Sequence, residues 1–138
     1  MLGKATCHTY SKSQAVIALS SGEAEYYGLV SAASASLGLQ SALKDWGWNL
    51  KIHVMMDANT GIAIGSRRGL GKTKHVDTVF LWVQELVTNG KMRLSKRPTG
   101  EMLADFLTKN VERATMLRCM VGLNLHFKEG QSKLALKA

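Results

Sequence analysis

Apolar residues recur along the chain with a period that switches between that of a helix and that of a strand. Residues 5–10 (ATCHTY) have strand-like composition, and Val16-Ile17-Ala18-Leu19 is a second short apolar run. Ser20 and Glu23 then stand at capping-box spacing, where a serine caps the helix and a glutamate three residues on reaches back. The helix so opened runs to about Lys44, with Leu29, Ala32, Ala33 and Leu37 at helical spacing as its buried stripe. In Lys51 to Asp57 (KIHVMMD), Ile52, Val54 and Met56 alternate with Lys51, His53 and Met55, the period of a strand. Asn59 to Ser66 reads as a short helix and is followed by the basic loop RRGLGKTKH. Val76, Val79, Phe80, Val83 and Val87 mark one face of a third helix, which Asn89-Gly90 ends by supplying a left-handed residue. Lys91 to Lys96 alternates again as a strand, Pro98-Thr99-Gly100 breaks it, and Glu101 to Lys109 opens a fourth helix. Val111, Met116, Leu117, Met120 and Val121 predict a further amphipathic helix over 111–126. This order of elements is that of an α/β domain over residues 1–126, with 127–138 a short basic tail.

Composition narrows the picture. Hydrophobic residues make up 46% of the 138, enough for a buried core. The longest uncharged stretch, Tyr26 to Leu43, contains Ser31, Ser34, Ser36, Gln40 and Ser41, too many polar groups for a bilayer span, so no membrane partner is expected. Met1 is not followed by the basic and then apolar run of a signal peptide. Lys+Arg number 18 against 10 Asp+Glu, a net charge of +8 that favours polyanion partners, nucleic acid before membrane. Cys7 and Cys119 fit neither a disulfide scaffold nor a metal knuckle, and read as reduced thiols of an intracellular protein.

Three carboxylates stand where chemistry would want them. Glu25 lies one turn inside the first helix, four residues before Leu29; Asp57 ends an alternating strand; Asp105 sits in LADFLTK among Leu103, Ala104, Phe106 and Leu107. Carboxylates at such junctions can converge at the carboxyl end of a sheet, where α/β folds place their sites. Several together would suit Mg²⁺, a hard cation that takes oxygen ligands and retains water. Structural roles stand beside this reading. Glu25 could serve the helix macrodipole, Asp57 could cap the next helix, and Asp105 could pair with Lys109. Spacing does not choose between them.

The words are more specific than their periodicity. ALSSGEAEYYGL (18–29) resembles the helix-start motif of the RNase H domain in copia-type retrotransposon polyproteins. VMMDANTGIAIG (54–65) resembles that family's strand ending in Asp-Asn, with Ala58 where the family has Asn. KTKHVD (72–77) is similar to its Thr-Lys-His-Ile-Asp segment, with Val76 for Ile, and LADFLTK (103–109) to its last acidic motif. The four motifs keep their order over roughly residues 5–125.

The resemblance implies an RNase H-like fold, here an incomplete mixed sheet with flanking helices and without the first two strands. It implies Glu25, Asp57 and Asp105 as catalytic and metal-binding carboxylates, while Glu23 keeps its capping role. The implied chemistry is hydrolysis of the RNA strand of an RNA–DNA hybrid during reverse transcription, with two Mg²⁺ ions about 4 Å apart. The family's first strand carries a further catalytic Asp that bridges both ions, whereas here no Asp precedes Asp45. The chain alone is therefore expected to cleave poorly or not at all, and to need the upstream reverse transcriptase segment of its polyprotein. The missing strands would leave backbone partners unpaired, which makes a second copy of the chain another candidate partner.

Arg67, Arg68, Lys72, Lys74 and His75 cluster in the basic loop and read as a phosphate-tracking surface, against the alternative of an ordinary solvated loop. His75 could orient a phosphate or assist proton transfer, and a structural role at a helix N-terminus fits it equally. GLGKT (69–73) is not a nucleotide-binding phosphate loop, because Ser66 stands where the first Gly is needed and Gly65 is one place too early. Three classes of function remain: a nuclease domain completed by an upstream segment, a catalytically dead remnant that still binds nucleic acid, and an incomplete gene product.

Overall fold

The computed structural model describes residues 1–69, 71 and 80–126. The chain divides into two compact units, Ser13–Gly100 and a smaller one made of Met1–Lys12 with the described part of Glu101–Ala138.

The larger unit is built on helix α1 (Ser21–Asp45), strand β1 (Ile52–Met56), helix α2 (Asn59–Ser66), helix α3 (Trp82–Thr88) and strand β2 (Met92–Lys96). β1 and β2 pair in parallel, Ile52 opposite Met92 and Met56 opposite Lys96. Parallel neighbours need a crossover between them, which α2 and α3 provide. The alternation of the two strands decides which face the helices cover. Ile52, Met56 and Met92 are buried with Val54 and Leu94 beside them, while Lys51, His53, Lys91 and Arg93 are exposed. The core joins those residues to Tyr26, Tyr27, Leu29, Val30 and Ala33 of α1, Ile64 of α2 and Val83 of α3. Full burial of a side chain such as Leu29 or Val83 contributes on the order of 2 kcal/mol.

α1 begins as its capping box dictates. Glu23 N–H donates to Ser20 Oγ at 3.2 Å. The return arm reaches one residue further back than the motif prescribes, since Leu19 N–H donates to Glu23 Oε2 at 2.9 Å. At the other end Gly47 adopts φ +85°, its N–H donating to Lys44 O and that of Trp48 to Leu43 O. That is the left-handed closure that satisfies the last carbonyls of a helix. α3 ends in the same way on Gly90 (φ +67°), as the Asn89-Gly90 pair predicts. Gln40 Nε2 donates to Leu50 O at 2.6 Å and so ties the late part of α1 to the entry of β1.

The buried stripe of α1 is wider than predicted. Leu29 and Ala33 are buried and Ala32 and Leu37 half-buried, but Tyr26, Tyr27 and Val30 are buried as well. Residues 5–10 form no strand; the backbone there makes one antiparallel bridge, Leu2 with Ala5. A strand lives by its ladder, and no neighbouring strand lies beside this segment among the described residues. The run before α1 is extended in composition but largely exposed, with Ile17 88% accessible, while Ala18 packs on the core.

The smaller unit holds helix α4 (Arg113–Gly122) and a one-turn 3₁₀ element, Asp105–Leu107. No α-helix forms over Glu101–Lys109, contrary to expectation; Thr99–Glu101 and Asp105–Leu107 are separate one-turn elements. So short a segment has too few internal hydrogen bonds to offset helix nucleation. α4 lies where predicted, but its buried face is different. Cys119 and Leu123 are buried with Met116 and Met120 half-buried, whereas Leu117 and Val121 form an exposed row one turn apart. Asn124 (φ +54°) closes α4 in the left-handed conformation. Thr6 Oγ1 donates to Leu123 O, fastening residues 1–12 to the end of that helix. Neither Cys7, exposed, nor Cys119, buried, is in a disulfide. The tail 127–138 and the helix-face residues Val76 and Val79 lie outside the described residues.

Candidate functional site

Asp57 follows directly on β1, half-buried, at the turn into α2. The capping alternative for it does not hold: Ala58 is the N-cap of α2, and no side chain caps that helix. Asp57 makes no side-chain hydrogen bond or ion pair among the described residues.

Glu25 comes to the same region by the packing of α1 on α2. Two glycines of α2, one turn apart, face two residues of α1, also one turn apart. A Cβ at Gly61 would lie 3.1 Å from Glu25 Cβ and 2.6 Å from Met56 Cε; one at Gly65 would lie 2.7 Å from Leu29 Cδ2. The absent side chains thus let the helices approach, and set the Glu25 β-carbon against the first turn of the helix that Asp57 precedes. Gly22 and Thr60 extend the contact by one turn, 3.2 Å from added Cβ to Thr60 Cβ. The Glu25 β-carbon and the Met56 methyl thus meet at one glycine, four residues after Asp57.

Asp105 belongs to the smaller unit, 23% accessible, in an ion pair with Lys109 at 3.0 Å. The structural role considered for it, an i,i+4 pair, is therefore present. Within neither unit do three His, Cys, Asp or Glu side chains gather in a group able to hold a metal ion, among the described residues.

Of the basic loop, Lys72, Lys74 and His75 lie outside the described residues. Arg68 is exposed, whereas Arg67 is half-buried with its guanidinium so close to Gly71 that an added Cβ there would meet Nη1 at 2.7 Å. The same guanidinium acts on Tyr26, whose hydroxyl donates to Phe80 O at 2.8 Å. Burial pushes the Tyr26 phenol up to about 12, with the cation partly opposing.

Two features of the site were not legible as function. Glu23 is a buried junction as well as a helix-start acid, accepting from Leu19 N–H and from Tyr27 Oη at 2.7 Å. Gln84 is buried in α3 and bonds to Ile64 and Gly69. Its signal was present: with Phe80, Val83 and Val87 it falls at i, i+3, i+4 and i+7, a polar residue on the apolar face of its helix. Arg68, Gly69, Leu81, Gln84, Glu85, Thr88 and Asn89 line an open depression beside it.

In sequence, the chain is similar to the retrovirus-related Pol polyprotein from transposon TNT 1-94 of Nicotiana tabacum, with 30% identity over 118 residues. The match takes in 84% of this chain and 9% of that polyprotein, so the chain spans less than a tenth of its relative's length. The likeness supports a segment of a copia-type retrotransposon Pol polyprotein. No protein-family model matches the chain. No solved structure matches it. Among the described residues, no helix is long and apolar enough to cross a membrane.

Proposed function

We propose that the chain is part of an RNase H-type nuclease domain of a retrotransposon polyprotein, acting on the RNA strand of RNA–DNA hybrids. The observation that carries this reading is the placement of the Glu25 β-carbon against Gly61, four residues after the Asp57 that follows β1. The polyprotein relative and the four motifs agree with it.

An all-oxygen donor set fits Mg²⁺, which is held by one or two carboxylates together with water and substrate phosphate. Glu25 and Asp57 would hold it. When bound, the ions supply an activated water and stabilise the leaving oxygen of an in-line displacement. The residues of the chain do the rest. Asp57, free of a capping role, keeps its carboxylate for a ligand, and Arg68 meets phosphate from an exposed loop. With few ligands of its own, the chain depends on substrate phosphate and on the adjoining polyprotein segment for full activity.

Titration with Mn²⁺ as a paramagnetic stand-in, read by water-proton relaxation with and without a hybrid oligonucleotide, tests the reading. Asp57→Asn and Glu25→Gln should each weaken binding by at least roughly tenfold, the cost even of losing a ligand's hydrogen-bond partner. Binding indifferent to both substitutions would remove the nuclease reading. Hybrid binding that needs no divalent ion would leave the nucleic-acid-binding remnant in its place.

A further inference from the structure

We infer that Gln84 is a positioning residue, which fixes the main chain of the Arg67–Gly69 loop and through it the direction of Arg68. The inference rests on the reading of that loop as a nucleic-acid contact.

Gln84 is 5% accessible, and its amide uses both ends. Nε2 donates to Ile64 O at 2.9 Å and to Gly69 O at 3.1 Å, while Gly69 N–H donates to Oε1 at 2.8 Å. Both main-chain groups of Gly69 are thus paired with one side chain, much as a neighbouring strand would pair them. The orientation of the amide follows without ambiguity, since a flip would set Oε1 against two carbonyls.

The end of α2 shows why such a clamp is needed. α1, α3 and α4 each finish on a left-handed residue, Gly47, Gly90 and Asn124, and close their last carbonyls through their own chain. α2 does otherwise. Arg67 leaves it in an extended conformation, φ −89° and ψ 172°, and the Ile64 carbonyl is met by Gln84 from α3. The path of the loop is therefore set by a side chain 15 residues away rather than by a local cap. A leucine at 84 would be of similar size and apolar, but could not hold Gly69. An unpaired amide there would be costly, so its retention in an apolar setting goes with the bonds it makes.

The test uses the whole chain, an RNA–DNA hybrid oligonucleotide and fluorescence anisotropy over a range of salt. Arg68→Ala should lower affinity several-fold and reduce the slope of log K against log salt by about one, the loss of one phosphate contact. Gln84→Leu should reduce the slope equally, and the double variant should be no weaker than either single one. Loss of folded protein would lower the active fraction without changing that slope. Gly69 amide exchange should accelerate in Gln84→Leu while the β1 and β2 amides stay protected. Gln84→Glu should bind poorly at pH 8 and approach the wild type at pH 5, since a protonated carboxyl restores one donor and one acceptor. This comparison decides if Gln84→Leu fails to fold.

An unchanged slope in Gln84→Leu beside a reduced one in Arg68→Ala overturns the inference and leaves the reading intact. Protection of Gly69 that survives the substitution overturns it too. A wild-type chain without salt-dependent hybrid binding, or an Arg68→Ala chain that binds normally, ends the reading and the inference with it.

Discussion

Tyr26 joins burial, a hydrogen bond and a titration in one side chain. Its hydroxyl donates to Phe80 O from a fully buried ring, and burial holds its pKa near 12 against an ordinary 10.0. Between those values the folded chain keeps a proton that the unfolded chain has lost, so stability falls as pH rises from about 10 towards 12. Tyr26→Phe should cost about 1 kcal/mol at neutral pH, because the Phe80 carbonyl loses its donor, yet should flatten this alkaline decline. Urea unfolding at several pH values reads both effects, and an equally steep decline in the variant would show that another group is responsible. Glu23 is the second such residue. Glu23→Ala strips acceptors from Leu19 N–H and the Tyr27 hydroxyl inside the fold, and should cost on the order of 2–3 kcal/mol in the same assay.

Between elements, the α1–α2 contact is governed by glycine. Gly65→Ala would gain up to about 1 kcal/mol of helix propensity, but its methyl would meet Leu29 Cδ2 at 2.7 Å and Leu94 Cδ1 at 2.9 Å. Overpacking of this kind costs roughly 1–3 kcal/mol, so net destabilisation is expected in thermal unfolding. Gly61→Ala differs in kind. The Met56 methyl that it meets is the end of a flexible chain and can swing away, whereas Glu25 Cβ at 3.1 Å moves only with its helix. Gly61→Ala should therefore disturb Mn²⁺ binding more than stability, and Gly65→Ala the reverse. Equal effects of the two on Mn²⁺ affinity would detach Glu25 from the proposed site.

For the molecule as a whole, the two units differ in how much they bury. Among the described residues, eleven buried apolar side chains belong to the larger unit, while Cys119 and Leu123 are those of the smaller one. Less burial means easier local opening. In a Cys7→Ser chain, Cys119 should react with a maleimide at a lower denaturant concentration than that which unfolds the larger unit, followed by Trp82 fluorescence in a chain lacking the exposed Trp46 and Trp48. Coincident transitions would mean that the chain unfolds as one cooperative unit. The net charge of +8 acts at this scale as well, and hybrid affinity should fall steeply between 50 and 200 mM salt.

Local patterns alone determined much of this protein. Ser20 and Glu23 set the start of α1, the alternation in KIHVMM placed β1, and Asn89-Gly90 ended α3, because caps, periods and left-handed turns act within a few residues. The words around Glu25, Asp57 and Asp105 pointed to a retrotransposon polyprotein for the same reason: they are local. What no local pattern could decide was which groups meet. The strand expected at 5–10 and the helix expected at 101–109 depend on partners, and a ladder or a packed face cannot be read from one segment. Only the fold brought the Glu25 β-carbon to Gly61, released Asp57 from capping, turned Arg67 inward with Arg68 exposed, and carried Gln84 across to Gly69. Those contacts join residues far apart along the chain, so they exist only once its elements have packed.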